Sequence, residues 1–293
     1  MAGWQGKTRG GTMGYQIFIF IIRYLGVRAA YAFTWVVIPY FIPFAPQATA
    51  STWRYARRIL GYGRWRSLGL LLRNYYRVAQ ITIDRLALRY GMKDRYRFVF
   101  EGYDEFLEVL NSGEGVVMMG AHVGNWELGT PFFDHYGKKI NIVMYDAEHQ
   151  RIKQMLQKSA LQSEFKIIPV NADNLTHVFR ITEALSNREY VCFQGDRYVN
   201  TEKVSVCDFM GHPARFPSGP FLLASRLKTP VVFYFALREP GYCYRFHFTL
   251  LHPDRAPQGV SPEQYVLHQY VQTLEQVVRR YPEQWFNYYR FWG

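Results

Sequence analysis

The 293-residue sequence predicts an α/β fold: a mixed, largely parallel sheet flanked by helices, preceded by a basic, apolar N-terminal helical region. Three observations carry that expectation. From Phe98 onward, short apolar runs alternate with stretches of helical periodicity, the pattern of strands joined by helical crossovers. Residues 1–97 hold 16 of the 35 basic residues but only two of the 23 acids, Asp84 and Asp94, so the entire net charge of +12 originates there. Finally, a composition of 49% hydrophobic and only 20% charged residues excludes disorder, collagen and a coiled coil. The chain is therefore read as two parts, residues 1–97 as a membrane-associating basic helical region and residues 98–293 as the α/β domain.

The N-terminal part is taken first. Tyr15 to Ile22 is apolar and followed by Arg23 and Arg28, but no small-residue cleavage site follows it, so it does not read as a cleaved signal. Ala29 to Trp53 is free of charge and long enough to cross a bilayer, although Pro39, Pro43 and Pro46 would break a straight helix near its end. An interfacial or re-entrant segment is favoured over a full span, with Tyr31, Trp35 and Tyr40 at headgroup level; a buried helix of a soluble protein is the competing reading. Next, Arg54, Arg57, Arg58, Arg64, Arg66, Arg73, Arg77, Arg85 and Arg89 interleave with apolar residues at three- and four-residue steps. This predicts a helix with one apolar and one basic face, suited to anionic headgroups. Nucleic acid is disfavoured by the absence of zinc-finger spacing or an aromatic RNP-type strand.

In the second part, strands are expected at Arg97–Glu101, Gly115–Gly120, Lys139–Met144, Lys166–Val170, Tyr190–Gln194, Val204–Phe209, Pro230–Phe235 and Tyr244–Leu250. Helices are expected at Tyr103–Leu110, His149–Gln162, Asn174–Ser186, Pro217–Leu227 and Pro262–Arg280. The three cysteines, Cys192, Cys207 and Cys243, form neither a disulfide framework nor a CxxC metal pair, which points to a reducing compartment and no metal.

Chemistry in open α/β sheets gathers where strands end. The segment Val116 to Glu127 runs from an apolar strand through a turn at Gly124 towards a helix, with Asn125 a candidate N-cap. His122 would stand at the strand end and Glu127 in the first helical turn. Across such a turn the carboxylate can fold back onto the imidazole, fix its tautomer and leave the other nitrogen to accept a proton. The competing reading is that His122 satisfies a backbone group and Glu127 complements the helix dipole.

These residues resemble a known family. His122 and Glu127 within GAHVGNWELG look like the H-x4-D/E motif of the lysophospholipid acyltransferase superfamily, specifically the bacterial lipid A late acyltransferases. Phe193-Gln194-Gly195-Asp196-Arg197, the stretch Phe209 to Pro220, and Tyr281 to Phe286 with Arg290-Phe291 are similar to that family's further blocks, in the same order. The resemblance implies acyl transfer from a thioester to a hydroxyl of a lipid A precursor or related glycolipid. An amino-acid lipid or polyene lipid is the alternative acceptor. The implied donor is acyl-acyl carrier protein, with acyl-CoA as the alternative, no further cofactor is expected, and the implied location is the cytoplasmic face of a bacterial inner membrane. His122 would be the base, oriented by Glu127. Backbone N–H groups near Gly124 and Asn125 would face the oxyanion. Arg197 and Arg215 are candidates for holding a phosphate, with Asp196 positioning Arg197 and the helix start at Ser218-Gly219 suited to the same anion. Phe216-Pro217-Ser218-Gly219 lacks the acid that wider glycerolipid acyltransferases carry there, which argues against glycerol-phosphate specificity. More remote expectations are a lipid hydrolase, for which no G-x-S-x-G turn is present, and a catalytically dead binding protein.

Overall fold

A computed structural model of the chain describes residues 12–128, 136–145, 165–170, 175–198 and 203–292. The expected helix His149–Gln162 lies outside them. Among the described residues nine strands form two sheets: β1 (Arg97–Glu101), β2 (Val116–Gly120), β3 (Ile140–Tyr145), β4 (Phe165–Val170), β5 (Tyr190–Gln194), β6 (Val204–Phe209), β7 (His212–Pro217), β8 (Val231–Glu239) and β9 (Cys243–Leu251). Seven of them make a mixed sheet in the order β1-β9-β8-β2-β5-β3-β4, and β6 pairs with β7 alone. All neighbours in the large sheet are parallel except β8 and β9, so the expected α/β architecture is the observed one.

Period-two alternation explains the layers, because successive side chains of a strand point to opposite faces. Val117 and Met119 of β2, Val191 and Phe193 of β5, and Phe233 and Phe235 of β8 enter one apolar cluster. Val116, Met118, Tyr190, Val232 and Tyr234 enter another on the opposite face. Both faces are buried, which is why these strands read as continuous apolar runs. The first cluster is completed by helices α6 (Thr176–Ser186), α7 (Ser218–Leu227) and α8 (Pro262–Arg280). The second is completed by α5 (Tyr103–Ser112) and by the N-terminal helices α1 (Thr12–Tyr24), α2 (Val27–Phe44) and α4 (Arg64–Arg89). A short helix, α3 (Pro46–Arg54), starts with a proline in its first turn and leads through a π-turn, Tyr55–Ile59, into α4.

The strand β7 had no counterpart among the expected elements. No element is expected over residues 212–216 and Pro217 is expected to open a helix, yet Met210 and Gly211 both take positive φ (60° and 79°) between Phe209 and its partner His212. That is the two-residue turn whose twist matches a hairpin. β8 likewise runs four residues past its expected end at Phe235, because antiparallel pairing with β9 continues to Glu239.

A buried polar cluster ties the N-terminal helices to the sheet. Asp84 of α4, fully buried, accepts from Arg238 Nε of β8 (2.8 Å), from Tyr244 OH of β9 (2.6 Å), from Tyr96 OH (2.8 Å) and from Tyr31 OH of α2. Four donors satisfy both carboxylate oxygens, as a buried charge requires. One acid on a helix of arginines is therefore the residue that docks the helix.

Candidate active site

The site lies just beyond the C-terminal ends of β2 and β5. Gly120 of β2 pairs with Gln194 of β5 in parallel register, so the residues two places further on, His122 and Asp196, emerge side by side. His122 Nδ1 lies 2.7 Å from Asp196 Oδ1, while His122 N–H (2.9 Å) and Trp285 Nε1–H (3.2 Å) both donate to Oδ2. A carboxylate on Nδ1 selects the tautomer that carries its proton there, which leaves the basic lone pair on Nε2. Asp196 is 2% exposed. Burial by itself would raise its pKa, but the His122 ring and its hydrogen bonds, with Arg197 nearby, outweigh that and hold the carboxyl below its ordinary value. By linkage, the stability Asp196 contributes is complete above the ordinary carboxylate pKa and is lost as pH falls through its lowered native value.

The C-terminal segment closes the frame around the imidazole. Phe286 N–H donates to the His122 carbonyl (2.8 Å), Gly124 N–H to Gln284 O (2.9 Å) and Arg197 Nη2 to Phe286 O (3.1 Å). Tyr289 OH donates to Asp196 O (2.8 Å), and Tyr270 OH of α8 to Gly120 O (2.8 Å). Asn74 of α4 holds the same segment through the carbonyls of Glu283 and Trp285.

Glu127 does not meet His122 among the described contacts. The chain after His122 continues as a strand-like link that bridges Trp285 at Val123 and Ala236 at Gly124, and Trp126–Leu128 form a 3-10 turn. Glu127 leaves that turn on the α4 side, where Arg85 Nη1 (2.8 Å) and Arg89 Nη2 (3.8 Å) meet it. The expected oxyanion donors are corrected by the same link: Gly124 N–H is spent on Gln284 O, and Asn125 N–H on Ala236 O (2.7 Å). Asn125 is a fully buried connector whose side chain accepts from Arg85 Nε (2.8 Å) and lies 3.4 Å from Tyr244 OH. Gly124 has φ 61°, and a Cβ there would sit 2.1 Å from the Ala236 carbonyl oxygen. Gly124→Ala is accordingly expected to lower stability by about 2 kcal/mol or more, read as a drop in the thermal midpoint.

Other expected residues lie apart. Arg215 stands opposite exposed Val206 on the outward face of the β6–β7 hairpin. Ser218 N–H donates to Lys203 O (3.1 Å) and Ser218 Oγ pairs with Ser205 Oγ (2.9 Å), so Ser218, at the start of α7 with Gly219 beside it in the first turn, is engaged by the β6 side of the hairpin. No described contact joins Arg215, Ser218 or Gly219 to His122 or Asp196. Two residues not singled out for the site stand close to it: Trp285, on the carboxylate, and Arg85, which lies over the Trp126 ring (4.5 Å) while that ring faces His122 (5.1 Å between centroids).

The family model of the bacterial lipid A biosynthesis acyltransferases matches residues 56–292. A phosphatidylinositol mannoside acyltransferase of Mycobacterium tuberculosis is 28% identical over 162 residues, 54% of this chain and 48% of that protein. Its namesake from Mycolicibacterium smegmatis is 26% identical over 125 residues, 41% and 40% of the two chains. The matched region spans about half the length of these curated relatives.

Proposed function

Because the chain belongs to the bacterial lipid A biosynthesis acyltransferase family, we propose that it moves a fatty acyl chain from a thioester, carried by acyl carrier protein or by CoA, to a hydroxyl of a lipid A precursor or related glycolipid. The carrying observation is the His122–Asp196 pair at the ends of two adjacent parallel strands. In this reading His122 Nε2 removes the hydroxyl proton as the oxygen attacks the thioester carbonyl. Asp196 holds the imidazole and stabilises the imidazolium that forms, and the proton then passes to the leaving thiolate. No covalent enzyme intermediate is needed. The names of the mycobacterial relatives favour a glycolipid acceptor. Incubation with an acyl thioester and a glycolipid, followed by mass spectrometry, tests the reading: one added acyl chain per acceptor is expected. Release of free fatty acid at a rate indifferent to acceptor would instead identify a hydrolase.

The N-terminal helices support work at a membrane surface. α2 is long and apolar enough to cross a bilayer, but Val27, Ala30, Tyr31, Thr34 and Ile38 are buried within the protein. Its outer side exposes Phe33, Trp35, Val36, Tyr40 and Phe44, continued on α1 by Ile17, Phe20 and Tyr24. A helix with one side packed on its own domain and the other apolar is built to lie in the interface rather than to span it. Arg54, Arg57, Arg58, Arg64, Arg66 and Arg73 are exposed at the end of α3, in the π-turn and along the first half of α4, suited to anionic headgroups at the cytoplasmic face of the bacterial inner membrane and to steering an acidic carrier protein. The double substitution Trp35→Asp/Val36→Asp is expected to release the folded protein from sedimented anionic vesicles. Unchanged sedimentation would remove this face as the anchor.

A further inference from the structure

We infer that Arg85 and Arg89, bridged by Glu127, form a binding point for a phosphate group on the acceptor lipid. Both arginines lie on the last turns of α4, where the carbonyl end of the helix favours cations. Two guanidinium groups share one carboxylate, so the cluster keeps a unit of positive charge. Asp84 is engaged by Arg238 and Asp196 by His122, so neither carboxylate offsets this pair directly. Arg85 spends Nε on Asn125 and Nη1 on Glu127, while its Nη2 donates to none of the described residues. Arg89 is half exposed, and its ion pair with Glu127 is a long 3.8 Å contact. The geometry suits a tetrahedral oxyanion approached from solvent, with one guanidinium fixed and one able to adjust.

Position makes this a substrate contact. Arg85 lies one indole ring away from His122, on Trp126, so a phosphate seated on the pair places neighbouring hydroxyls of the same headgroup towards the imidazole. Glu127 then serves the reaction by spacing two cations apart, which explains its distance from the histidine. The identity of the ligand as acceptor rests on the acyl-transfer reading; the existence of the anion site does not.

The test uses the full-length protein in detergent, labelled with fluorotryptophan and titrated with methyl phosphate, the Trp126 resonance being assigned by its loss in Trp126→Phe. Methyl phosphate is expected to shift that line and methanol to leave it in place. Arg89→Gln, at an exposed position that folding tolerates, is expected to weaken the response about tenfold, Arg85→Gln at least as much, and Arg255→Gln, on a distant exposed turn, not at all. In turnover assays Arg89→Gln is expected to raise KM for a phosphate-bearing acceptor while kcat and the KM of the donor thioester hold. An unmoved Trp126 line, or an equal response in Arg89→Gln, would overturn the site. A rise confined to the donor KM would overturn its assignment to the acceptor, and the binding result would stand even if no acyl transfer were found.

Discussion

Asp196→Asn is expected to reduce kcat by about 10²–10⁴, the range supplied by a positioned general base, in a protein that still folds. The reason lies in how the two carboxylate oxygens are used. Oδ1 meets His122 Nδ1, and Oδ2 accepts from both His122 N–H and Trp285 Nε1–H. An asparagine must place its NH2 group on one side or the other. Facing the ring, it forces the proton onto Nε2 and removes the base; facing the other way, it sets donor against two donors. Removing the negative charge also favours the neutral imidazole, so the acid limb of the kcat/KM profile is expected to move to lower pH. His122→Ala should abolish turnover to the same degree. Glu127→Gln should lower kcat less than Asp196→Asn, since its carboxylate faces Arg85 and Arg89. Thiol release from an acyl thioester measures all three, and the reverse ranking would restore Glu127 as the partner of the histidine.

The second large effect is on stability. Asp84→Ala is expected to destabilise the protein by about 3–5 kcal/mol, because it leaves Arg238, 4% exposed, as an unpaired buried charge. Tyr31, Tyr96 and Tyr244 lose their acceptor in the same step. Changing both partners, Asp84→Ala with Arg238→Met, should recover much of the loss, since an apolar pair carries no such desolvation penalty. Denaturant midpoints of the single and double variants decide it. Equal destabilisation in both would show that the tyrosine contacts, not the stranded charge, dominate.

What the sequence disclosed and what it hid follow from the range of each interaction. Strands β1, β5 and β6 and helix α8 were expected at their observed limits, because short apolar runs and capping are local. Ser261 caps α8 by accepting from Gln264 N–H, and Pro262 follows it in the first turn. His122 was legible as a strand-end residue for the same reason. Its partner was not. Glu127 is five residues away and was the natural choice, whereas Asp196 is 74 residues away and reaches the ring only through the pairing of β2 with β5. Its signal is positional, since Gly120 and Gln194 are register partners and both side chains stand two places beyond them. The row of arginines from Arg54 to Arg89 was read as one headgroup-facing surface. The structure divides it, with Arg85 turned onto Asn125, Trp126 and Glu127, and this division follows from α4 packing against the sheet, which helical periodicity alone does not report.

The clasp formed by Gln284, Trp285, Phe286 and Tyr289 around His122 and Asp196 has a consequence for biosynthesis. These residues are translated after every strand of the sheet. A nascent chain can therefore pair β2 with β5 and bring histidine and aspartate together while the segment that fixes them is still inside the ribosome. The pair is thus fixed in place late in translation, after the apolar helices α1 and α2 have emerged.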